Sequence, residues 1–150
     1  KIDGRGLIKK IILNNKKIIF IDESYNASPV SMENCLNYFH SMKLNNNQKK
    51  FLILGDMNEL GKFSKKYHQN TIKQIMISNF DHVVVSGKIF KMAIDNMNIG
   101  KKNIRYLFDE NQIMNYLKNN VNNNDTILIK CSNSTKVNSL ANMLNNLRSK

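Results

Sequence analysis

The sequence predicts an α/β domain: a mostly parallel sheet with helices on both faces and a β-hairpin at its start. Three observations predict it. Short apolar, β-branched runs alternate with stretches whose apolar residues recur at helical spacing. The runs are apolar on both faces, as strands buried between two helical layers must be. The first two runs are joined by a short Asn-rich loop, a hairpin signal. At 150 residues the chain fits one domain with a sizeable core.

The elements follow in order. Residues 1–6, KIDGRG, read as an interdomain linker or hinge, and residues 7–150 as the domain proper. So abrupt an entry is expected to follow upstream sequence. Leu7 to Leu13 and Lys17 to Ile21 form the hairpin around Asn14-Asn15-Lys16. The run Ile18–Ile21 ends in two acids, Asp22 and Glu23, then a polar turn, then Ser28-Pro29. Ser28 is suited to cap a helix, and Pro29 to its first position, where a missing N–H costs nothing. Met32, Cys35, Leu36, Phe39 and Met42 give that helix an apolar face.

Phe51 to Leu54 is the next strand, closed by Gly55-Asp56. Ser64 opens a helix with His68, Ile72, Ile75 and Met76 on one side. Val83 to Val85 is a strand, Ile89 to Met97 a short helix and Ile104 to Phe108 another strand. Asp109 with Gln112 resembles a capping box before Ile113, Leu117 and Val121. Thr126 to Ile129 is the last strand, and Ser132 or Ser134 is expected to cap a final helix carrying Val137, Leu140, Ala141, Leu144 and Leu147. The whole reads as one Rossmann-like domain.

Composition narrows the function classes. No apolar run reaches the length of a membrane span, and the start lacks signal-peptide architecture. Cys35 and Cys131 lie far apart, without CxxC spacing or a nearby His pair, so no metal is expected and reduced cytoplasmic thiols are the plain reading. The net charge is +12, from 23 Lys and Arg against 11 Asp and Glu. The basic residues are scattered and nearly all Lys, beside 26 Asn, which matches an A+T-biased genome better than a nucleic-acid footprint.

Four strand ends gather polar groups: Asp22 to Asn26, Gly55 to Gly61, Ser86 to Lys88, and Lys130 to Ser134. In a parallel sheet these share one edge, where α/β sheets bind ligands. Carboxylates there can accept ribose hydroxyls, and Lys or a helix start can hold an anion. The chain has neither a GxxxxGK[ST] phosphate loop nor a GxGxxG fingerprint, so it is not by itself a complete phosphoryl-transfer enzyme. His40 and His82 read as structural or exposed; His68, following the Asp56–Glu59 loop, is evenly balanced between core and site.

These residues resemble a known family. Asp22 to Met32, DESYNASPVSM, is similar to the D-D-S-Y-N-A-N-P-x-S-M signature of the Mur ligases that add D-alanyl-D-alanine to UDP-N-acetylmuramoyl-tripeptide. Leu54 to Gly61, LGDMNELG, with His68 beyond it, resembles that family's L-G-D-M-x-E-L-G…H pattern. Gly4-Arg5 resembles the G-R that opens its third domain, and Lys130-Cys131-Ser132-Asn133 falls at its K-G-S-R.

The resemblance implies the C-terminal domain of a three-domain, ATP- and Mg²⁺-dependent ligase of peptidoglycan synthesis. Its N-terminal UDP-sugar domain and central ATPase are absent here. It is expected to be cytoplasmic and monomeric, with no nucleic-acid partner. On the nucleotide side the resemblance implies Arg5, Asp22, Glu23, Tyr25 and Asn26; on the D-alanyl-D-alanine side, Asp56, Glu59, His68, Lys130 and Ser132.

The chain departs from the pattern at four functional positions. Glu23 stands for Asp, Cys131 for Gly, Asn133 for Arg and Asn138 for Glu. Losing the Arg removes a bidentate donor for a carboxylate or phosphate, and Cys for Gly threatens to crowd a close backbone approach. The rival readings are a basic nucleic-acid-binding module and a non-catalytic nucleotide-binding domain.

Overall fold

The structure, a computed structural model, describes residues 6–99 and 103–149. Among these residues six strands, numbered in chain order, form one sheet in the order β1-β2-β6-β3-β4-β5. β1 (Leu7–Leu13) and β2 (Lys16–Glu23) pair antiparallel, and every other pairing is parallel. The hairpin turns on Asn14 and Asn15, with φ of 50° and 63°. Left-handed geometry at both central residues suits the strands' twist, and Asn tolerates it. The outer edge of β1 is partly covered by the tail, where Ile12 N–H donates to the Arg148 carbonyl at 3.0 Å.

The remaining strands are β3 (Lys50–Leu54), β4 (His82–Val85), β5 (Ile104–Tyr106) and β6 (Thr126–Lys130). The helices are α1 (Pro29–Ser41), α2 (Ser64–Met76), α3 (Lys88–Asp95), α4 (Glu110–Asn120) and α5 (Lys136–Asn145). A single 3₁₀ turn, Gly61–Phe63, leads into α2. The helix after β4 is shorter than the sequence suggests and the strand of β5 stops two residues early, at Tyr106.

Strand alternation sorts the core into two layers. Phe20, Phe51, Ile53, Ile127 and Ile129 face α4 and α5. Ile21, Leu52, Leu54, Val83, Val85 and Leu128 face α1, α2 and α3. The expected two-sided sheet is what forms.

The start signals act as expected at α1. Ser28 Oγ accepts from Ser31 N–H at 3.2 Å, and Ser31 Oγ accepts from Ser28 N–H at 2.9 Å. At α4 the box is half made: Asp109 Oδ1 accepts from Gln112 N–H, while Gln112 Oε1 takes the Phe108 N–H instead. At α5 the expected cap is corrected. Thr135, not Ser132 or Ser134, caps the helix. Both serine hydroxyls are engaged elsewhere, accepting from the Asn58 backbone and side chain at 2.9 Å each.

Candidate functional site

The carboxyl ends of the parallel strands bring four loops to one edge. After β2, Asp22 is buried and works inward. Its Oδ1 accepts from Ser24 N–H at 3.0 Å and Ser24 Oγ–H at 2.6 Å; its Oδ2 accepts from Asn145 Nδ2 of α5 at 2.8 Å. Asp22 therefore shapes the turn, while Tyr25 and Asn26 beyond it are exposed and Glu23 is half-buried. Arg5 lies outside the described residues.

After β3, Asp56 is also occupied. Its two oxygens accept from the backbone N–H groups of Ile89 and Phe90, at 3.1 and 3.0 Å, where α3 begins. The residue before that helix, Gly87, has no side chain to cap it and stands at φ 111°. Asp56 supplies the missing cap from the neighbouring loop, and its charge suits the helix's positive end. A side chain on Gly87 would overlap the Asp56 carboxylate.

His68 lies wholly in the interior. Nδ1 meets the Ser64 carbonyl at 2.7 Å, so it carries the proton, and Nε2 accepts from Met57 N–H at 3.0 Å. Burial holds its pKa below the ordinary value, offset in part by the Ser64 carbonyl and Asp56. A neutral imidazole that ties the loop to α2 is the result. Glu59, exposed and left-handed at φ 62°, stands at the tip of the same loop.

β6 locks the other two loops together. Lys130, buried, donates from Nζ to the Asn26 carbonyl at 2.9 Å. Ser132 N–H donates to the Asp56 carbonyl at 3.1 Å, and its hydroxyl accepts from Asn58 N–H at 2.9 Å. Cys131 fits because Gly55 lies against it: a Cβ on Gly55 would come within 2.7 Å of Cys131 Cβ. The crowding expected from a cysteine here is thus absorbed by a neighbouring glycine. Burial pushes the thiols of Cys35 and Cys131 up to about 12, so both are inert. Asn133, where the family has Arg, is exposed.

A cavity of about 330 Å³ opens at this edge, lined by Asp56, Asn58, Gly87, Phe108, Ser134 and Lys136 among others. Of the described candidate residues only Asp56 lines it. Lys136 Nζ lies 3.8 Å from the centroid of the Phe108 ring, a cation–π contact at the rim. A larger groove of about 950 Å³ between α1 and α2 contains none of the described candidates.

Sequence reading missed Phe108, Lys136 and Asn145, and singled out Asn138 only through the family resemblance. The first two were visible only as a strand end and a helix start. Asn145 sits among helical residues, where nothing in the sequence separates it from the other Asn. His40 and His82, read as structural or exposed, lie far from this edge: His40 is exposed and its Nδ1 accepts from Asn79 N–H, and His82 stacks on Phe51 at 4.2 Å.

The residues after β2 fit part of a nucleotide. An exposed aromatic ring, a carboxamide and a half-buried carboxylate suit a base and a ribose, but no glycine-rich cradle for phosphates accompanies them. Among the described residues no group of three His, Cys, Asp or Glu is placed to hold a metal ion.

Known proteins match this arrangement. The sequence pattern of the family described as "Mur ligase, glutamate ligase domain" matches residues 10–133. The UDP-N-acetylmuramoyl-tripeptide--D-alanyl-D-alanine ligase of Buchnera aphidicola (subsp. Acyrthosiphon pisum) is 34% identical over 134 residues, covering 87% of this chain and 27% of that protein. The Bacillus subtilis protein of the same name is 27% identical over 134 residues, covering 88% of this chain and 29% of that one. The crystal structure of MurF ligase from Thermotoga maritima, in complex with ADP, superposes with a TM-score of 0.75 at 24% identity, over 96% of this chain and 31% of that one. The last similarity speaks to the fold. The chain spans less than a third of the length of each relative. With the family pattern running through most of the sheet and the same fold in a solved relative, the chain belongs to the Mur ligase family, as its C-terminal glutamate ligase domain.

Proposed function

We propose that this domain belongs to a longer, ATP-dependent ligase that joins D-alanyl-D-alanine to UDP-N-acetylmuramoyl-tripeptide in the cytoplasm. The observation that carries the reading is the union of its two family motifs. Lys130 ties the turn after β2 to β6, and Ser132 ties β6 to the Asp56–Asn58 loop, so both motifs meet at one edge of the sheet. The similarity to ligases of that name supports the substrate assignment.

In this reading the tripeptide carboxylate takes the terminal phosphoryl group of ATP, releasing ADP, and the dipeptide amine then attacks the acyl carbon, forming the amide and releasing phosphate. The phosphates and Mg²⁺ are held by the rest of the longer chain. Glu23, Tyr25 and Asn26 face the nucleoside, Arg5 is assigned to the same ligand by the family resemblance, and Asp22 holds the turn. The loop braced by His68 and carrying Asp56 and Glu59 borders the dipeptide, with Lys130 and Ser132 fixing it beside the nucleotide turn. Pre-set positioning of this kind lowers the barrier without the domain reacting itself.

The test is dipeptide-dependent phosphate release by the full-length protein given ATP, Mg²⁺, UDP-muramoyl-tripeptide and D-alanyl-D-alanine. Glu23→Ala is expected to raise the KM for ATP, and Asp56→Ala chiefly the KM for the dipeptide, each by roughly tenfold, the loss of about one charged hydrogen bond. Folded wild-type protein that releases no phosphate in response to the dipeptide would overturn the reading.

A further inference from the structure

We infer that Asn138 and Asn145, on α5, are positioning residues for the nucleotide-facing turn. The inference rests on the ligase reading for its kinetic consequence, but its geometry stands independently.

The turn is gripped at two successive points. Asn145 Nδ2 donates to Asp22 Oδ2 at 2.8 Å, and Asn138 Nδ2 donates to the Ser24 carbonyl at 3.0 Å. The two side chains are seven residues apart, two helical turns, and so lie on one face of α5. Cys131 adds a weak thiol contact to the same Ser24 carbonyl, at 3.8 Å. Asp22 and Ser24 are buried, so neither can touch a ligand from there; Tyr25 and Asn26, which can, follow directly. What α5 holds, the exposed part of the turn inherits.

Reversing the Asn145 amide would set its Oδ1 against the Asp22 carboxylate, so the acid fixes the orientation in which Nδ2 donates.

Asn138 and Cys131 converge on one acceptor, the Ser24 carbonyl. A carboxylate at position 138 would have no N–H to give, so it could not make that bond.

The experiment uses the full-length protein carrying Asn138→Glu, Asn138→Gln or Asn145→Leu. Backbone hydrogen exchange at residues 24–27 is expected to speed up at least tenfold in Asn138→Glu and Asn145→Leu, with β3 and β6 unchanged. The KM for ATP is expected to rise three- to tenfold in both, with kcat and the KM for the dipeptide kept. Asn138→Gln, which retains a donor, should stay closer to wild type. Unchanged exchange at 24–27 would overturn the inference, as would a fall in Tm with an unchanged KM for ATP, or activity gained by Asn138→Glu. Absent phosphate release in the wild type would defeat the ligase reading alone, and exchange would still decide the positioning role.

Discussion

Asp56 and Gly87 are coupled at the scale of single residues. The carboxylate caps α3 from another loop, and the glycine leaves room for it while standing at φ 111°. Gly87→Ala should therefore cost at least about 2 kcal/mol, combining a strained backbone with the overlap. Asp56→Ala should cost about 1–2 kcal/mol through the lost cap. Because Asp56→Ala also removes the overlap, the double variant should be less destabilised than the two losses added together. Urea unfolding of the four proteins measures this, and strict additivity would refute the coupling. A consequence for function is that a ligand anion cannot use the start of α3, since Asp56 already holds its N–H groups.

At the scale of elements, His68 joins the loop after β3 to α2. As a neutral side chain with its pKa below the ordinary 6.5, it takes up fewer protons when folded than when unfolded. Unfolding is then favoured as pH falls: the stability is complete above 6.5 and is lost progressively below it, by at most about 1.4 kcal/mol per pH unit. His82 is shifted in the same direction, by burial. His68→Gln should thus be less stable at pH 7.5 yet show a shallower decline between pH 6.5 and 5, read from urea midpoints. An undiminished slope would mean that His68 is not the group responsible. The elements themselves were largely legible in the sequence, because β-branched runs, the Ser28-Pro29 start and the Asn14-Asn15 turn are local signals. The cap of α5 was not. Ser132, Ser134 and Thr135 are all adequate caps, and the choice is made by Asn58, distant in sequence, which takes both serine hydroxyls. Likewise the motifs picked out loops that the fold brings to one edge, but not that Asp22, Asp56 and His68 are engaged by the protein's own groups, since a side chain's partner on another element leaves no local mark.

At the scale of the molecule, the sheet order places the last strand in the middle. β6 lies between β2 and β3, so Ile19 finds its partner Thr126 only after three other strands and four α-helices have intervened. The same strand carries Lys130 and leads to Ser132, which hold the two motif loops together. Fold closure and site assembly are thus one event. Parallel pairing across such a separation is slow, because loop-closure entropy must be met before the contacts form. During synthesis, ribosomes add residues at about 5–20 per second. A nascent chain that has emerged only as far as Asp125 exposes the facing sides of β2 and β3, two apolar strand edges with nothing between them. Stalled chains displaying residues up to 125 should be cut readily by protease, and those displaying the whole of α5 should resist. Resistance of the shorter chains would show that the sheet closes without β6. Until then the newborn domain is a client for any holdase that recognises open strands, and its exposure lasts until the final helix leaves the exit tunnel.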